Sequence, residues 1–158
     1  MTKALFLDRD GVINVDYNYV YKIDEFEFVD GIFELCKQKQ DEGYLIFVIT
    51  NQAGIARGFY TEADFSKLTT WMCERFKAKG VIITKVYFCP HHPDFNISCE
   101  CRKPNPGMIL QAQREFNIDL KNSLLIGDKQ SDLDAGQNAG IENLILVTKN
   151  QSLKNIIV

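Results

Sequence analysis

Residues 4–14 read ALFLDRDGVIN, and this stretch decides the fold. Leu5–Leu7 form a short apolar run that ends in acid, which is typical of a buried strand. Asp8 and Asp10 stand two residues apart, so they can point the same way at the strand's end, because side chains alternate along an extended chain. Gly11 then permits a sharp turn beside them. The stretch predicts a strand followed by a loop that carries paired carboxylates.

Apolar runs and helical patterns alternate along the rest of the chain. Further strands are predicted at residues 44–49, 82–88, 124–126 and 144–147, and helices at residues 32–40, 62–79, 106–116 and 132–138. Thr61 and Asp64 have the spacing of a capping box, which favours a helix start there. Strands alternating with helices indicate an α/β fold, and right-handed crossovers put helices on both faces of a parallel sheet. We therefore expect a three-layer, Rossmann-like parallel sheet in a single domain, residues 1–158.

Composition and charge exclude several classes of protein. The chain of 158 residues is 46% hydrophobic and 25% charged, an ordinary globular mixture. Its net charge of −3 argues against a nucleic-acid binder that depends on overall positive charge. No apolar run approaches the ~20 residues that cross a bilayer, and the amino terminus lacks a signal-peptide core. We expect a cytoplasmic monomer with neither a membrane nor a nucleic-acid partner.

Polar side chains follow three of the predicted strands. They are Asp8, Asp10, Thr50, Asn51 and Asp128. In parallel sheets, ligands bind beyond the carboxyl ends of the strands, so we expect these side chains to converge at one edge. Hard carboxylate oxygens suit Mg²⁺, which keeps waters and shares phosphate oxygens. The pattern predicts a magnesium and phosphoryl site at this edge.

The same segments carry a resemblance to a known family. They are residues 6–16 (FLDRDGVINVD), 50–58 (TNQAGIARG), 89–93 (CPHHP), 99–104 (CECRKP), 106–108 (PGM) and 127–129 (GDK). In this order they resemble the haloacid dehalogenase superfamily of phosphohydrolases. In finer detail they resemble the D-glycero-D-manno-heptose-1,7-bisphosphate 7-phosphatase family. The resemblance covers nearly the whole chain and implies a core without a separate cap domain.

The resemblance also implies a mechanism. Asp8 would be the nucleophile that forms an aspartyl-phosphate, a known use of a carboxylate. Asp10 would be the general acid for the leaving sugar oxygen and then the general base for water. Thr50 and Lys103 would hold the transferring phosphoryl group. Mg²⁺ would be bound by the carboxylates of Asp8 and Asp128 and by the backbone carbonyl of Asp10.

Substrate specificity would fall to short loops. The substrate-binding residues implied by the resemblance are Asp16, Tyr17, Asn18, Tyr19, Asn51, Gln52, Ala53, Arg57, Arg102 and Lys129. Lys129 would either order the aspartates or touch phosphate. Asp132 is open to two interpretations, a partner behind the metal ligands or an acid favoured at a helix N-terminus.

A second metal site is predicted within residues 89–103, which we call the metal loop. Cys89, His91, Cys99 and Cys101 form the pattern C-x-H-x₇-C-x-C, which matches a closed tetrahedral zinc site. Unpaired surface thiols are the alternative, and a redox dithiol is disfavoured because no C-x-x-C is present. His92 is an alternative ligand to His91. Zinc would be structural there, fixing the loop that delivers Arg102 and Lys103.

The sequence thus indicates a magnesium-dependent phosphatase with a structural zinc. The step implied by the resemblance removes the 7-phosphate of a heptose 1,7-bisphosphate, on the route to nucleotide-activated heptose for bacterial lipopolysaccharide. A histidinol-phosphate phosphatase, or another small phosphomonoester phosphatase, is the enzymatic alternative. A zinc-stabilised binding module is the alternative from another class, although it predicts damaged aspartates and all three are present. A nucleic-acid end phosphatase is disfavoured by the charge.

Overall fold

The computed structural model describes residues 1–96 and 98–158 and contains one five-stranded parallel sheet. Its strands lie in the order β3-β2-β1-β4-β5. The strands are β1 (Ala4–Leu7), β2 (Leu45–Asn51), β3 (Ile83–Cys89), β4 (Leu124–Gly127) and β5 (Asn143–Leu146). The helices are a 3-10 turn (Ile23–Glu25), α1 (Ile32–Asp41), α2 (Ala53–Ala56), α3 (Glu62–Ala78), α4 (Gly107–Phe116) and α5 (Gln130–Ala139).

Alternation along the central strand β1 divides the core into two layers. Leu5 and Leu7 pack into a cluster with residues of α1 and α3. Ala4 and Phe6 point the other way, into a cluster with residues of α4 and α5. All four are fully buried, as expected of a parallel strand covered on both faces. The predicted three-layer α/β architecture is confirmed.

Most predicted elements appear within two residues of their expected bounds. Thr61 caps α3, accepting a hydrogen bond from the N–H of Asp64 at 3.1 Å, while the Asp64 carboxylate accepts from the N–H of Thr61 at 3.0 Å. The structure adds α2 and the 3-10 turn, which are too short to show a helical period. It also begins α5 at Gln130, two residues before the predicted start.

The connections between strands are short enough that the core carries no inserted cap domain within the described residues. The β1–α1 loop and the metal loop both lie at the carboxyl edge of the sheet, since each follows a strand. No helix in the described part of the chain has the length and apolar character needed to cross a bilayer.

Candidate active site

Two aspartates sit at the carboxyl ends of the neighbouring strands β1 and β4. Asp8 follows β1 and Asp128 follows β4, and a third carboxylate, Asp132, comes from the first turn of α5. One carboxylate oxygen of each residue lies within 4.8 Å of the others. Parallel strands bring their carboxyl ends to one edge, which explains this meeting of residues distant in sequence. We call these three carboxylates and the Lys103 ammonium the carboxylate floor.

Lys103 is the buried cation of the carboxylate floor. Its Nζ lies 2.9 Å from Asp8 Oδ1 and 2.6 Å from Asp132 Oδ1, and it donates to the carbonyl of Ile49 at 3.0 Å. Its backbone N–H donates to Asn51 Oδ1 at 3.1 Å, and Asn51 Nδ2 donates back to the Lys103 carbonyl at 3.3 Å. All three ammonium protons therefore have acceptors, and strand β2 fixes the residue's backbone.

The charges of the carboxylate floor are unbalanced. Burial raises the pKa of Asp8 to about 7, although the Lys103 ammonium opposes this. Burial also acts to lower the pKa of Lys103, but Asp8 and Asp132 together hold that pKa above its usual range. Asp8 and Asp132 share one buried ammonium, and Asp128 adds a third carboxylate beside them. A site of this kind suits an added cation.

Asp128 supplies the oxygen that such a cation needs. Its side chain is 1% exposed, and its Oδ1 has no hydrogen-bond partner among the described residues. The nearest ammonium, on Lys129, lies 3.7 Å away. A Cβ added at Gly11 would come within 2.4 Å of Asp128 Oδ2, so only glycine lets the loop approach this closely. An orphaned anionic oxygen beside other carboxylates fits a hard divalent ion such as Mg²⁺.

The contacts of Asp132 support both of the interpretations that the sequence left open. Its Oδ2 accepts hydrogen bonds from the N–H groups of Asp128 and Lys129, at 3.2 and 3.1 Å. It is therefore an acid at the N-terminus of α5, where acids are favoured. Its other oxygen, Oδ1, contacts Lys103. The same carboxylate thus also belongs to the network behind the candidate metal ligands.

Asp10 is held apart from the carboxylate floor by donors of its own. Its Oδ1 accepts from Arg9 Nη2 at 2.8 Å, Arg9 Nε at 3.2 Å and Asn14 Nδ2 at 3.0 Å. Its Oδ2 accepts from Gln52 Nε2 at 3.2 Å. Burial acts to raise the pKa of Asp10, but the Arg9 guanidinium and these hydrogen bonds outweigh it and lower the pKa. Arg9, itself 2% exposed, also donates to the Val20 carbonyl at 2.7 Å.

Gln52 links Asp10 to Thr50. Its side-chain N–H groups donate to Asp10 Oδ2 at 3.2 Å and to Thr50 Oγ1 at 2.8 Å. Its Oε1 accepts from the hydroxyl of Tyr60. Thr50 is 1% exposed, and its own hydroxyl lies 3.5 Å from the nearest acceptor, the Asn51 carbonyl. The Thr50 O–H is thus nearly free to donate to another group.

Most of these residues, though not Thr50 or Asp128, line an open cleft of about 530 Å³. Its lining residues are Asp8, Asp10, Asp16, Asn18, Tyr19, Asn51, Gln52, Ala53, Gly54, Tyr60, Arg102, Lys103, Pro104, Lys129, Ser131 and Asp132. The cleft combines acids at its base with cations and amides at its sides. A polar lining of this kind suits a small, hydrophilic, anionic ligand.

The metal loop gathers three thiols and an imidazole. Cys101 Sγ lies 3.3 Å from Cys99 Sγ and 3.5 Å from His91 Nδ1. Cys89 Sγ lies 3.4 Å from Cys99 Sγ and 3.8 Å from His91 Nδ1. Zn–S and Zn–N bonds of ~2.0–2.3 Å give separations of this order between ligands of a tetrahedron. The four side chains could hold a metal ion.

The alternative ligand His92 faces away from this cluster. Its Nδ1 accepts from the N–H of Asp94 at 3.1 Å, and its ring packs edge-on against Phe95. His91 is therefore the histidine that the structure brings to the thiols. The His91 carbonyl also accepts from Arg102 Nη1 at 3.4 Å, which joins the cluster to the cleft. Ile97 lies outside the described residues.

Comparison with known proteins gives the relationship. The chain is 56% identical over 150 residues to the D-glycero-alpha-D-manno-heptose-1,7-bisphosphate 7-phosphatase of Campylobacter jejuni, covering 95% of this chain and 85% of that protein. It is 49% identical to the D-glycero-beta-D-manno-heptose-1,7-bisphosphate 7-phosphatase of Yersinia pestis, covering 91% and 79%. The chain belongs to the D-glycero-D-manno-heptose-1,7-bisphosphate 7-phosphatase family. The resemblance inferred from the motifs is confirmed.

The wider relationships agree with this family. Residues 100–155 match the family model described as HAD-hydrolase-like. A solved D,D-heptose 1,7-bisphosphate phosphatase from B. bronchiseptica, complexed with magnesium and phosphate, superposes with a TM-score of 0.84. It is 33% identical and covers 94% of this chain and 82% of that chain. As a member of the heptose bisphosphate phosphatase family, the chain is a phosphoric monoester hydrolase of the haloacid dehalogenase superfamily.

Most of the substrate-binding residues predicted for this family member line the cleft, but two do not. Tyr17 is 55% exposed and donates its hydroxyl to Glu27 at 3.0 Å. Arg57 is exposed, and its guanidinium lies 4.6 Å from the centre of the Phe95 ring. Substrate contact by either would require its side chain to leave these partners. Gln52 does line the cleft, although its amide is committed to protein groups.

Sequence reasoning missed several residues of the phosphatase site. Arg9, Asn14 and Tyr60 contact the predicted groups directly, while Ser131 lines the cleft. Arg9 and Asn14 had a usable signal, because they stand inside the motif around Asp10. A buried arginine almost always has a charged partner. Tyr60 had no such signal in the sequence, since its contact with Gln52 depends on how the chain turns back after α2.

Proposed function

We propose that this chain hydrolyses the 7-phosphate of D-glycero-D-manno-heptose 1,7-bisphosphate, a step in nucleotide-activated heptose biosynthesis. One observation carries the proposal. This chain is 56% identical to a named 7-phosphatase. In it Asp8 lies buried against Lys103 at the base of a polar cleft, with Asp10 beside it. This is the arrangement that phosphoryl transfer to a carboxylate requires.

The reaction proceeds in two displacements at phosphorus. An Asp8 carboxylate oxygen bonds to phosphorus while the bond from phosphorus to the sugar oxygen breaks. Asp10 gives its proton to that departing oxygen, so the sugar leaves as an alcohol. Water then attacks the same phosphorus, Asp10 takes a proton from it, and the bond to Asp8 breaks. Inorganic phosphate is released, and both aspartates return to their starting states.

Mg²⁺ fits the carboxylate floor. We propose that Asp8 and Asp128 would hold it through their carboxylates and Asp10 through its backbone carbonyl. The orphaned Asp128 Oδ1 and the surplus of negative charge support this assignment. When bound, the ion would neutralise charge on the phosphoryl oxygens and help to orient them in line.

Fixed donors of the chain would stabilise the charge on the phosphoryl group. Thr50 has a nearly free hydroxyl. The Lys103 ammonium already donates three hydrogen bonds, so a phosphoryl oxygen would replace one of its acceptors. The acceptor most simply replaced is Asp8, once its carboxylate is phosphorylated. Donors already aimed at the developing charge are often the largest single contribution to catalysis.

The sugar and its second phosphate would contact the side of the cleft. The proposed contacts that already line it are Asp16, Asn18, Tyr19, Asn51, Gln52, Ala53, Arg102 and Lys129. Arg102 has the planar fork that binds phosphate in a bidentate manner. Contacts of Tyr17 and Arg57 with the substrate remain predictions.

Zn²⁺ fits the metal loop in a structural role. Cys89, His91, Cys99 and Cys101 would fill all four positions of a tetrahedral site, which leaves none for a catalytic water. The ion would fix the segment that leads into Arg102 and Lys103. We further propose that residues 1–158 act as one phosphohydrolase domain, as a monomer in the cytoplasm, without a nucleic-acid or membrane partner.

Phosphate release with saturating Mg²⁺ tests the proposal. The substrates are the heptose 1,7-bisphosphate, histidinol phosphate and fructose 1,6-bisphosphate, with Asp8→Asn beside the wild type. We expect much the highest kcat/KM for the heptose bisphosphate and no activity from Asp8→Asn. Preference for histidinol phosphate would keep the mechanism and overturn the substrate. No hydrolysis by metal-replete protein of any of the three would favour a binding module instead.

A further inference from the structure

The two oxygens of Asp10 are used unequally. Oδ1 accepts three hydrogen bonds, two from Arg9 and one from Asn14, at 2.8–3.2 Å. Oδ2 accepts one, from Gln52 at 3.2 Å. A carboxylate oxygen with three donors has no room for a proton of its own, so a proton on Asp10 belongs on Oδ2. The orientation of the Gln52 amide therefore bears on the oxygen that reacts.

The Gln52 amide is fully committed in one orientation. Its two N–H protons go to Asp10 Oδ2 and Thr50 Oγ1, and its oxygen accepts from Tyr60. If the amide turned over, its oxygen would face the Asp10 carboxylate, which can only accept, and Asp10 Oδ2 and Thr50 Oγ1 would both lose their donor. The Asp10 carboxylate thus selects the orientation seen, and the Tyr60 hydroxyl, which donates to the amide oxygen, holds that oxygen in place.

Tyr60 is itself held rigidly enough to fix the position of the Gln52 amide oxygen. The residue is 6% exposed, and its ring stacks on Tyr21 with centroids 5.2 Å apart and planes 10° apart. On another side it lies against Gly54, where an added Cβ would come within 2.2 Å of the Tyr60 ring. The position of the hydroxyl is thus set by packing on the ring.

We propose that Tyr60 is a positioning residue for proton transfer, acting through Gln52 on Asp10 Oδ2 and on Thr50. This inference rests on the proposed role of Asp10 as general acid. Gln52, which also lines the cleft, is then a positioning residue as well. The proton it helps to place passes from Oδ2 to the bridging oxygen, as the bond from phosphorus to that oxygen breaks and the bond to Asp8 forms.

Leaving groups that differ in their need for a proton test this role. A sugar alkoxide must be protonated as it leaves, whereas p-nitrophenolate departs as a stable anion. For Tyr60→Phe, which keeps the ring, we expect kcat/KM to fall about tenfold on the sugar phosphate, a fraction of the ~10²–10⁴-fold that acid–base catalysis contributes. On p-nitrophenyl phosphate we expect about threefold or less. On the sugar phosphate the loss should appear in kcat rather than in KM.

Two further variants separate positioning from packing. Tyr21→Phe removes a hydroxyl from the partner ring in the same stack and should match the wild type in both assays. Gln52→Met removes both donors at similar volume and should cost up to ~10²-fold on the sugar phosphate, the scale of a misplaced catalytic group. In that background Tyr60→Phe should have no further effect, because its action passes through Gln52.

Several results would overturn the proposal. They are equal losses of Tyr60→Phe on the alkyl and aryl phosphates, a matching loss in Tyr21→Phe, and full additivity with Gln52→Met. A rise in KM alone would also overturn it, in favour of substrate contact. Hydrolysis of p-nitrophenyl phosphate that Asp8→Asn abolishes establishes the phosphatase independently. If the heptose bisphosphate proves not to be the substrate, the comparison uses the fastest alkyl phosphate instead.

Discussion

The carboxylate floor and the metal loop both gather ionisable side chains, but they hold them differently. Asp8 and Asp128 follow paired strands, and Asp132 stands in a helix, so backbone hydrogen bonds fix all three. The metal loop has no helix or strand among its described residues beyond Cys89. The thiols and the imidazole make their side-chain polar contacts with one another. We therefore expect the floor to form by folding alone and the loop to need a bound metal for its order.

Lys103 is where these two regions meet. It ends the metal loop, yet its ammonium lies in the carboxylate floor and its backbone is bonded to Asn51 of β2. The difference between the regions thus makes a graded set of expectations. Changes in the carboxylate floor should lower kcat/KM most, and changes in the metal loop should lower it less. Changes in the outer packing of the loop should have little effect on activity.

Lys103→Met is expected to have the largest effect. It leaves Asp8 and Asp132 facing each other without their shared cation, and removing one partner of a buried ion pair typically costs ~3–5 kcal/mol. We expect kcat/KM to fall about 10³-fold, the scale seen when a fixed charge-stabilising donor is lost. Phosphate release and urea unfolding measure the two effects.

Lys129→Met is the matched control for this change. Lys129 lines the same cleft, but its side chain is 56% exposed, and its ammonium lies 3.7 Å from Asp128. Its loss should cost no more than about tenfold and little stability, because solvent screens an exposed pair. If the two variants lost activity equally, the distinction between buried floor and exposed rim would be wrong.

Sequence reasoning succeeded where one local pattern determines the outcome. The apolar runs located the strands. The rule that ligands bind at the carboxyl ends of parallel strands predicted that Asp8 and Asp128 lie close together. The spacing from Cys89 to Cys101 was enough to group four side chains that could hold a metal ion. In both regions the relevant contacts follow from strand order or from short separation along the chain.

Sequence reasoning could not give the contacts that depend on how a short segment turns. Tyr60 reaches Gln52 only because α2, a helix of four residues without a visible period, directs the chain back over the cleft. Arg57 lies within a matching segment and Tyr17 directly follows one, yet their side chains contact Phe95 and Glu27 rather than the cleft. A motif fixes which residues are present, but not which way an exposed loop directs them.

Removal of zinc is expected to have an intermediate effect. With Mg²⁺ saturating, a zinc-selective chelator or Cys99→Ser should lower kcat/KM by about tenfold to 100-fold, since a displacement near 1 Å can cost ~10²-fold. The cause would be disorder of Arg102 and Lys103 rather than loss of a catalytic ion. Zinc content and phosphate release, measured on the same samples, test this.

Cys73→Ser is the control for the chelation experiment. Cys73 lies on α3, half-buried and outside the metal loop, so its substitution should leave zinc content and turnover unchanged. Restoring zinc to the chelated wild type should restore its activity. Unchanged turnover in fully zinc-free protein would show that the hydrogen bonds between the Lys103 backbone and the Asn51 side chain suffice to order the Lys103 ammonium.

Arg57→Gln is expected to have the smallest effect. It tests whether side-chain packing, in addition to metal, orders the metal loop. The Arg57 guanidinium lies over the Phe95 ring at 4.6 Å and near the Tyr19 ring at 5.9 Å, so it connects the loop to the cleft wall. An exposed cation–π contact contributes only ~0.5–1 kcal/mol. We expect KM for the heptose bisphosphate to rise about threefold at most, with kcat and zinc content unchanged. A tenfold or greater rise in KM would restore Arg57 as a substrate contact, and loss of zinc would mean that packing, as well as metal, holds the loop.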